Sequence, residues 1–507
     1  MTIGIDLGTT FSLVSRLQHD GKIMLIPDIT FKDQNQTPSA IWLGSSLALA
    51  GFQAEEKMHV APDSNLFRFF KRSFGIQEPL AYDLDGNPWH SEALAAILLR
   101  KLAFDATSFY GEKITGVVIT VPAHFNQNQR KSIEMAASMA EIPLLALLDE
   151  PVAAALYYVF KGLLHKQGIY YVYDLGGGTF DATIISYNAQ GIYVLAKDGL
   201  TDTGGKEFDE KIMSRVTSMM REDMDIATLS AWELLQLRQE SEKIKINLSN
   251  PQTYFIKHVF SIGSWERQLL FNRLDFEAGI RQLVMKTIEV SRRCFQHAEL
   301  SPGDVDGVML VGGSSVIPLV RQMICEEMGF LEHQIHVVNP QEAVASGAAI
   351  YANRLDKGVE TQSLPPEFRG VTGYFTGIRT IENLENRVGV DVMIAKNLPL
   401  PAKASRTYYT QSDQQQFIHL EVAQYLVSED QSFSIGSIHI GPIEKPKANY
   451  TIEVVLEYSA TGEIHIQVFD PQTGHEIART FTNREDEVSF LIAQKQLVRN
   501  TKINNLP

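Results

Sequence analysis

Cysteine is almost missing from this chain: two of 507 residues, Cys294 and Cys325, carry a thiol. Their separation matches no metal-ligand spacing, which excludes a disulfide framework and a cysteine-built zinc site and suits a reducing compartment. An excess of basic residues is missing as well. The formal charge is −15, and both a general nucleic-acid surface and docking on an anionic membrane need clustered Lys and Arg. There is no apolar run of membrane-spanning length and no basic segment leading into a short apolar one, so no membrane partner and a cytoplasmic protein are expected. What remains is 44% hydrophobic and 21% charged, the composition of a globular protein, and a length that calls for two or three domains.

One phrase occurs twice. Ile3-Gly4-Ile5-Asp6-Leu7-Gly8-Thr9-Thr10 opens the chain, and Tyr171-Val172-Tyr173-Asp174-Leu175-Gly176-Gly177-Gly178-Thr179 repeats its apolar-Asp-Leu-Gly order. Each copy reads as a buried strand, a carboxylate and a turn. The glycines let backbone N–H groups approach a phosphate, the hydroxyls of Thr9, Thr10 and Thr179 add donors, and an aspartate at each strand end can hold a hydrated cation. One copy alone could be an ordinary hairpin turn. Two copies in register at domain spacing predict two lobes gripping a polyphosphate.

Residues 1 to about 355 alternate apolar strands with helical stretches, as layered α/β domains do. Gly116–Val121 reads as a strand, residues 127–140 as a helix with Ile133, Ala136, Ala137 and Ala140 on one face, and residues 143–148 as a strand ending in Asp149-Glu150-Pro151. Ser230-Ala231-Trp232-Glu233 has capping-box spacing and opens a helix on which Glu242, Lys245 and Ser249 share a stripe. Taken alone, that stripe is a solvated face. Val308-Met309-Leu310-Val311-Gly312-Gly313-Ser314 is a further strand closed by glycines. Beyond Arg387 the pattern shifts to short alternating runs, among them Phe417–Val422 and residues 451–456, which predict a small all-β domain.

In order along the chain, the two Asp-Leu-Gly phrases, Val121-Pro122-Ala123-His124-Phe125-Asn126, Asp149-Glu150-Pro151-Val152-Ala153, Gly204-Gly205-Lys206-Glu207-Phe208-Asp209 and Val311-Gly312-Gly313-Ser314 resemble the motifs of the 70-kilodalton heat-shock chaperones, of the DnaK and HscC type. The resemblance implies an actin-like, two-lobed ATPase domain (a duplicated ribonuclease-H-like α/β fold) over residues 1–357, a linker region at 358–386, a β-sandwich resembling a peptide-binding domain at 387–484 and a short tail or helix at 485–507. It implies binding of ATP and ADP with Mg²⁺ and K⁺. Gly8, Thr9, Thr10 and Phe11 would cradle the phosphates from one side and Gly177, Gly178 and Thr179 from the other, with Gly204, Gly205 and Gly312 close by. Lys71, Glu150, Asp174 and Thr179 would form the catalytic set, and Asp6, Asp174 and Asp181 the cation site. Glu242, Lys245, Ile246, Ser249, Gly313, Ser314 and Val316 would border the adenosine. Phe417, Ile418 and Leu420 would line a peptide groove; as residues of a strand, alternate members could equally be sandwich core. Implied partners are unfolded polypeptide segments, a J-domain co-chaperone and a nucleotide exchange factor.

The chain also departs from that pattern. Ile246 and Val316 stand where many relatives stack two arginines on adenine, which predicts weaker, less base-selective nucleotide binding. Gly370–Ile378 does not match the relatives' interdomain linker, and Gln127 and Ala146 replace charged residues near the co-chaperone surface. After a last strand at 476–482, one short helix at 487–497 cannot supply the relatives' helical lid. Two functions follow: an ATP-hydrolysing chaperone that couples nucleotide state to the binding of extended apolar peptides, and a nucleotide-sensing adaptor with weak or uncoupled hydrolysis that binds one dedicated protein.

Overall fold

The computed structural model describes residues 1–60, 65–164, 167–357, 367–382, 387–410, 412–413, 415–441, 448–471, 474–478 and 487–503. Two sheets of one plan make up the N-terminal module. The first runs Leu144–Asp149, Gly116–Val121, Thr2–Asp6, Phe11–Leu17, Ile23–Ile26, and the second Ile335–Val337, Gly307–Val311, Gly168–Leu175, Phe180–Tyr187, Gly191–Leu200. In each, the Asp-bearing strand has parallel neighbours on one side and an antiparallel hairpin on the other. The sequence repeat is therefore a repeat of architecture, the actin-like ATPase fold with a β-sandwich appended. Ile3, Ile5, Tyr171, Val172 and Tyr173 are all fully buried, since strands covered on both faces carry continuous apolar runs.

Two helices, Glu150–Phe160 and Ala343–Lys357, pack against each other and join the lobes. Their approach depends on glycine. A Cβ on Gly347 would collide with the Ala153 backbone, and one on Gly4 with the backbone of Ala348 and Ala349, so the second helix lies directly on the strand that carries Asp6.

The sandwich has two four-stranded antiparallel sheets. One is Arg387–Ile394, Phe375–Glu382, Ile418–Tyr425, Phe433–Ile440; the other is Ala402–Tyr409, Thr451–Tyr458, Ile464–Phe469, Glu476–Ala478. Ile378, Val422 and Ile438 meet Ile452, Val454 and Ile466 between them. This moves the boundaries read from sequence. Phe375–Glu382, placed in the linker region, is a sandwich strand hydrogen-bonded to Arg387–Ile394 and Ile418–Tyr425; Gly373 just ahead of it and Gly377 within it disguise the alternation of Thr376, Ile378 and Thr380. Just upstream, Glu367–Arg369 adds in parallel to Gly191–Tyr193 at the edge of the second lobe's sheet. The rest of the expected linker, 358–366 and 383–386, lies outside the described residues, as do 479–482 of the last expected strand.

The chain then returns to the first lobe. Glu487–Asn500 is a helix packed on helices Ser91–Tyr110 and Gln127–Met139, and Lys502–Ile503 pairs in parallel with Leu47–Ala50. Val498 and Ile503 are buried in the first lobe's core.

Candidate functional site

Between the lobes lies a cavity of about 560 Å³ bordered by Asp6, Gly8, Thr9, Thr10, Phe11, Lys71, Glu150, Asp174, Gly176, Gly177 and Thr179, and further out by Glu242, Lys245, Ile246, Gly312, Gly313 and Ser314. The two phosphate-type loops face one another so closely that a Cβ on Gly177 would strike the Thr10 side chain, and one on Gly178 would strike Thr9 and Arg72. Glycine is thus required where the loops meet.

Strand ends deliver the carboxylates. Asp6 ends Thr2–Asp6 and accepts from Thr120 Oγ1 at 3.0 Å, Asp174 precedes the last residue of Gly168–Leu175, and Glu150 begins a helix after Leu144–Asp149. Lys71 sits in a short turn, Phe70–Ser73, which follows Phe69 in a left-handed conformation (φ 60°). The Phe69 ring is flanked by the cations of Arg68, Lys206 and Arg238 at 5.0–5.3 Å, contacts that hold the turn. Lys71 Nζ reaches Glu150 Oε1 at 2.8 Å, both side chains being buried.

Burial raises the pKa of Asp6, of Glu150 (to about 7) and, well above the usual range, of Asp174; the neighbouring acids add to the rise for Glu150 and Asp174, and Lys71 opposes it in all three. Asp174 Oδ2 is buried without a hydrogen-bond partner. One lysine does not balance this many acids, so the cluster suits a divalent cation. Among the described residues no group of three His, Cys, Asp or Glu side chains converges on one point.

Deeper in the second lobe, Lys245 Nζ lies 2.8 Å from Asp209 Oδ1 and donates to the Gly205 carbonyl at 3.3 Å, while Ser314 Oγ donates to the Gly176 carbonyl at 2.9 Å. The stripe of Glu242 and Lys245 faces the cavity rather than solvent. Six expected residues do not border it. Gly178 faces Thr9 and Arg72 where the loops meet, and Gly204 and Gly205 pack behind the second loop, where a Cβ on Gly204 would meet the backbone of Gly176, Gly177 and Gly178. Ser249 instead donates to the Lys245 carbonyl at 2.7 Å, and Val316, at the end of its turn, is exposed. Asp181 stands one rank back, held by His124. Ile246 is at the rim, 60% exposed.

In the sandwich, Ile418 and Leu420 are buried between the sheets and only Phe417 is exposed. The groove expected from these three residues is therefore corrected: strand alternation turns Ile418 and Leu420 inward, to the core.

Several contributors carried no sequence assignment. Arg72 donates to both Glu207 oxygens, at 2.7 and 2.8 Å, and to the Gly178 carbonyl at 2.6 Å, bridging the lobes. Gln36 Nε2 donates to Gln341 Oε1 at 2.9 Å, and Gln239 Nε2 to Glu55 Oε2 at 3.1 Å. His124 and Asp209 lie within quoted motifs, which was the available signal; Gln36 and Gln239 lie in no motif.

Fold and site together define a two-lobed module with two facing phosphate-type loops and an attached β-sandwich. The family model described as Hsp70 protein matches residues 2–500, and the chain belongs to the Hsp70 family. It is thus a chaperone of the Hsp70 type, from a family that generally binds ATP or ADP with Mg²⁺, is ATPase-active and binds unfolded peptides and co-chaperones. Among the described residues no helix is long and apolar enough to cross a membrane.

Proposed function

We propose that this chain is a DnaK-like chaperone that hydrolyses ATP to ADP and phosphate and uses the nucleotide state to regulate binding of extended apolar peptide segments by its sandwich. The observation that carries this reading is the buried Lys71–Glu150 pair, which borders the same cavity as both phosphate-type loops. Backbone N–H groups and the hydroxyls of Thr9, Thr10 and Thr179 would orient the triphosphate, and Lys71 would offset charge growing on the transferred phosphoryl group. Glu150, poised near neutral by burial and its acidic neighbours, would orient the attacking water or take its proton. Asp6 and Asp174 would hold Mg²⁺ through its waters, and that ion would neutralise phosphate charge; K⁺ would be a further cation. A J-domain protein and an exchange factor are the matching partners, in the cytoplasm.

Single-turnover hydrolysis with and without an extended apolar peptide tests this. Lys71→Ala is expected to slow the step roughly 10²- to 10³-fold, and peptide should accelerate the wild type alone. The burial of Ile418 and Leu420 favours a second reading, the adaptor for one dedicated protein; turnover indifferent to peptide would select it.

A further inference from the structure

We propose that His124 and Tyr374 are positioning residues: they fix the carboxylate of Asp181 beside the cation site and tie its orientation to the seating of the sandwich. The proposal rests on the nucleotide-binding reading above and names how the two domains communicate.

Asp181 Oδ1 accepts twice from one residue, from the His124 backbone N–H at 3.0 Å and from the ring Nδ1 at 2.8 Å. Both residues are almost fully buried. Donation to a carboxylate places the imidazole proton on Nδ1. The ring has little freedom to choose another partner: Gly199 lies against it so closely that a Cβ there would stand 2.5 Å from Nδ1, and the Phe125 ring meets it edge-on at 5.9 Å. Nε2 is buried without a hydrogen-bond partner, so among the described residues the ring's hydrogen bonding is to Asp181. Both donations fall on Oδ1, and across the adjacent strand Asp181 is paired in register with Asp174 of the acid cluster. Asp181 also acts electrostatically on Glu150 and Asp174. A second-rank carboxylate held this way aims the groups around an ion without touching substrate.

The other side of His124 faces the sandwich. Tyr374, buried in the segment leading into the first sandwich strand, donates its hydroxyl to the His124 carbonyl at 2.5 Å. Its ring stands edge-on to Phe433, at 5.6 Å, on the strand Phe433–Ile440. Phe433, Tyr374, His124 and Asp181 thus form a continuous contact chain from the sandwich to the acid cluster. Displacing the sandwich shifts Tyr374, then the 122–125 turn, then the carboxylate.

The test is calorimetric titration of ADP over a range of Mg²⁺ concentrations. His124→Leu removes the ring donor and is expected to raise the Mg²⁺ needed for half-maximal tightening roughly tenfold to a hundredfold, with metal-free ADP affinity unchanged. His124→Asn keeps an N–H near the Nδ1 position and should recover to within a few-fold of wild type. Tyr374→Phe should move the Mg²⁺ midpoint less than His124→Leu and abolish its dependence on added peptide. In ¹⁵N spectra of the wild type, the His124 ring should show a protonated Nδ1. A wild-type Mg²⁺ midpoint in folded His124→Leu overturns the proposal, as does an Asn variant as impaired as the Leu variant. Wild-type protein with no Mg²⁺-dependent nucleotide binding overturns the proposed function itself, and this assignment with it.

Discussion

The sandwich is fastened to the ATPase module at two junctions that are built from different materials. Upstream, residues 367–374 and the loop around Lys396 bury Val371 and otherwise hold on through directional polar contacts: Glu367–Arg369 adds to a sheet edge, Tyr374 donates to the His124 carbonyl, Lys197 N–H donates to Asn397 Oδ1 at 3.1 Å, and Lys396 Nζ meets Asp198 Oδ2 at 3.2 Å with both side chains buried. Downstream, the helix Glu487–Asn500 and the strand Lys502–Ile503 sink Val498 and Ile503 into the first lobe's core, where Phe490, Leu491 and Leu497 also pack. The downstream junction sits on the first lobe, and the upstream one spans both, meeting the second lobe along Gly191–Leu200 and the first at His124. Directional contacts are lost over small displacements, whereas apolar burial is non-directional and tolerates them. The upstream junction is therefore suited to report lobe geometry, and the downstream one to keep the sandwich nearby while it does so.

The strongest way to break this contrast is Val498→Asp, which removes apolar burial and places an unpaired charge in the core; a loss of roughly 3–5 kcal/mol is expected in urea unfolding. Next is Lys396→Met. It takes one cation from Asp198 but leaves Arg293, whose Nε is 2.5 Å away, so about 2–4 kcal/mol is expected, below the cost of stranding the carboxylate entirely. The two variants should also differ in kind. Proteolysis should open residues 367–401 in Lys396→Met, and the C-terminal helix in Val498→Asp.

Acid sharpens the comparison more gently. Burial opposes the Asp198 carboxylate, but its bond to Arg293 and the charge of Lys396 hold its pKa below the ordinary 3.8. An acid depressed on folding adds stability above its unfolded pKa and loses it as pH falls through the lower folded value. Below about pH 3.8 the upstream junction should weaken while Val498 and Ile503, which carry no charge, stay buried. Pepsin cleavage mapped across that range would show upstream sites appearing first; simultaneous release of both junctions would remove the distinction.

Where residue pattern and tertiary role coincide, the sequence was readable. The twin Asp-Leu-Gly phrases announced both lobes, because a glycine turn behind a buried strand has few uses and the repeat fixed its spacing. Lys71 and Glu150 followed from motif position alone. The sandwich's first strand was missed because glycines at 373 and 377 look like loop. Ile418 and Leu420, open between groove and core in the sequence, lie in the core; alternation tells that two residues share a face, not which face is covered. The return of the tail to Leu47–Ala50 had no local signal at all: a two-residue strand is defined by its partner, more than 450 residues away in sequence.

The smallest expected effect tests whether charge matters at the downstream junction. Arg499 pairs with Glu141 on the surface beside Val498, and both side chains are about half exposed, 54% and 49%. Exposed pairs gain little over hydration, so Arg499→Ala should cost at most about 0.5–1 kcal/mol, and less still in 1 M salt. Arg100 also reaches this helix end. Its guanidinium donates to the Val498 carbonyl at 2.8 Å, a bond that Arg499→Ala leaves intact, so the helix end keeps a partner. If Arg499→Ala nevertheless destabilises as much as Val498→Asp, the tail is held by charge, the two junctions are alike, and either one could serve as the reporter.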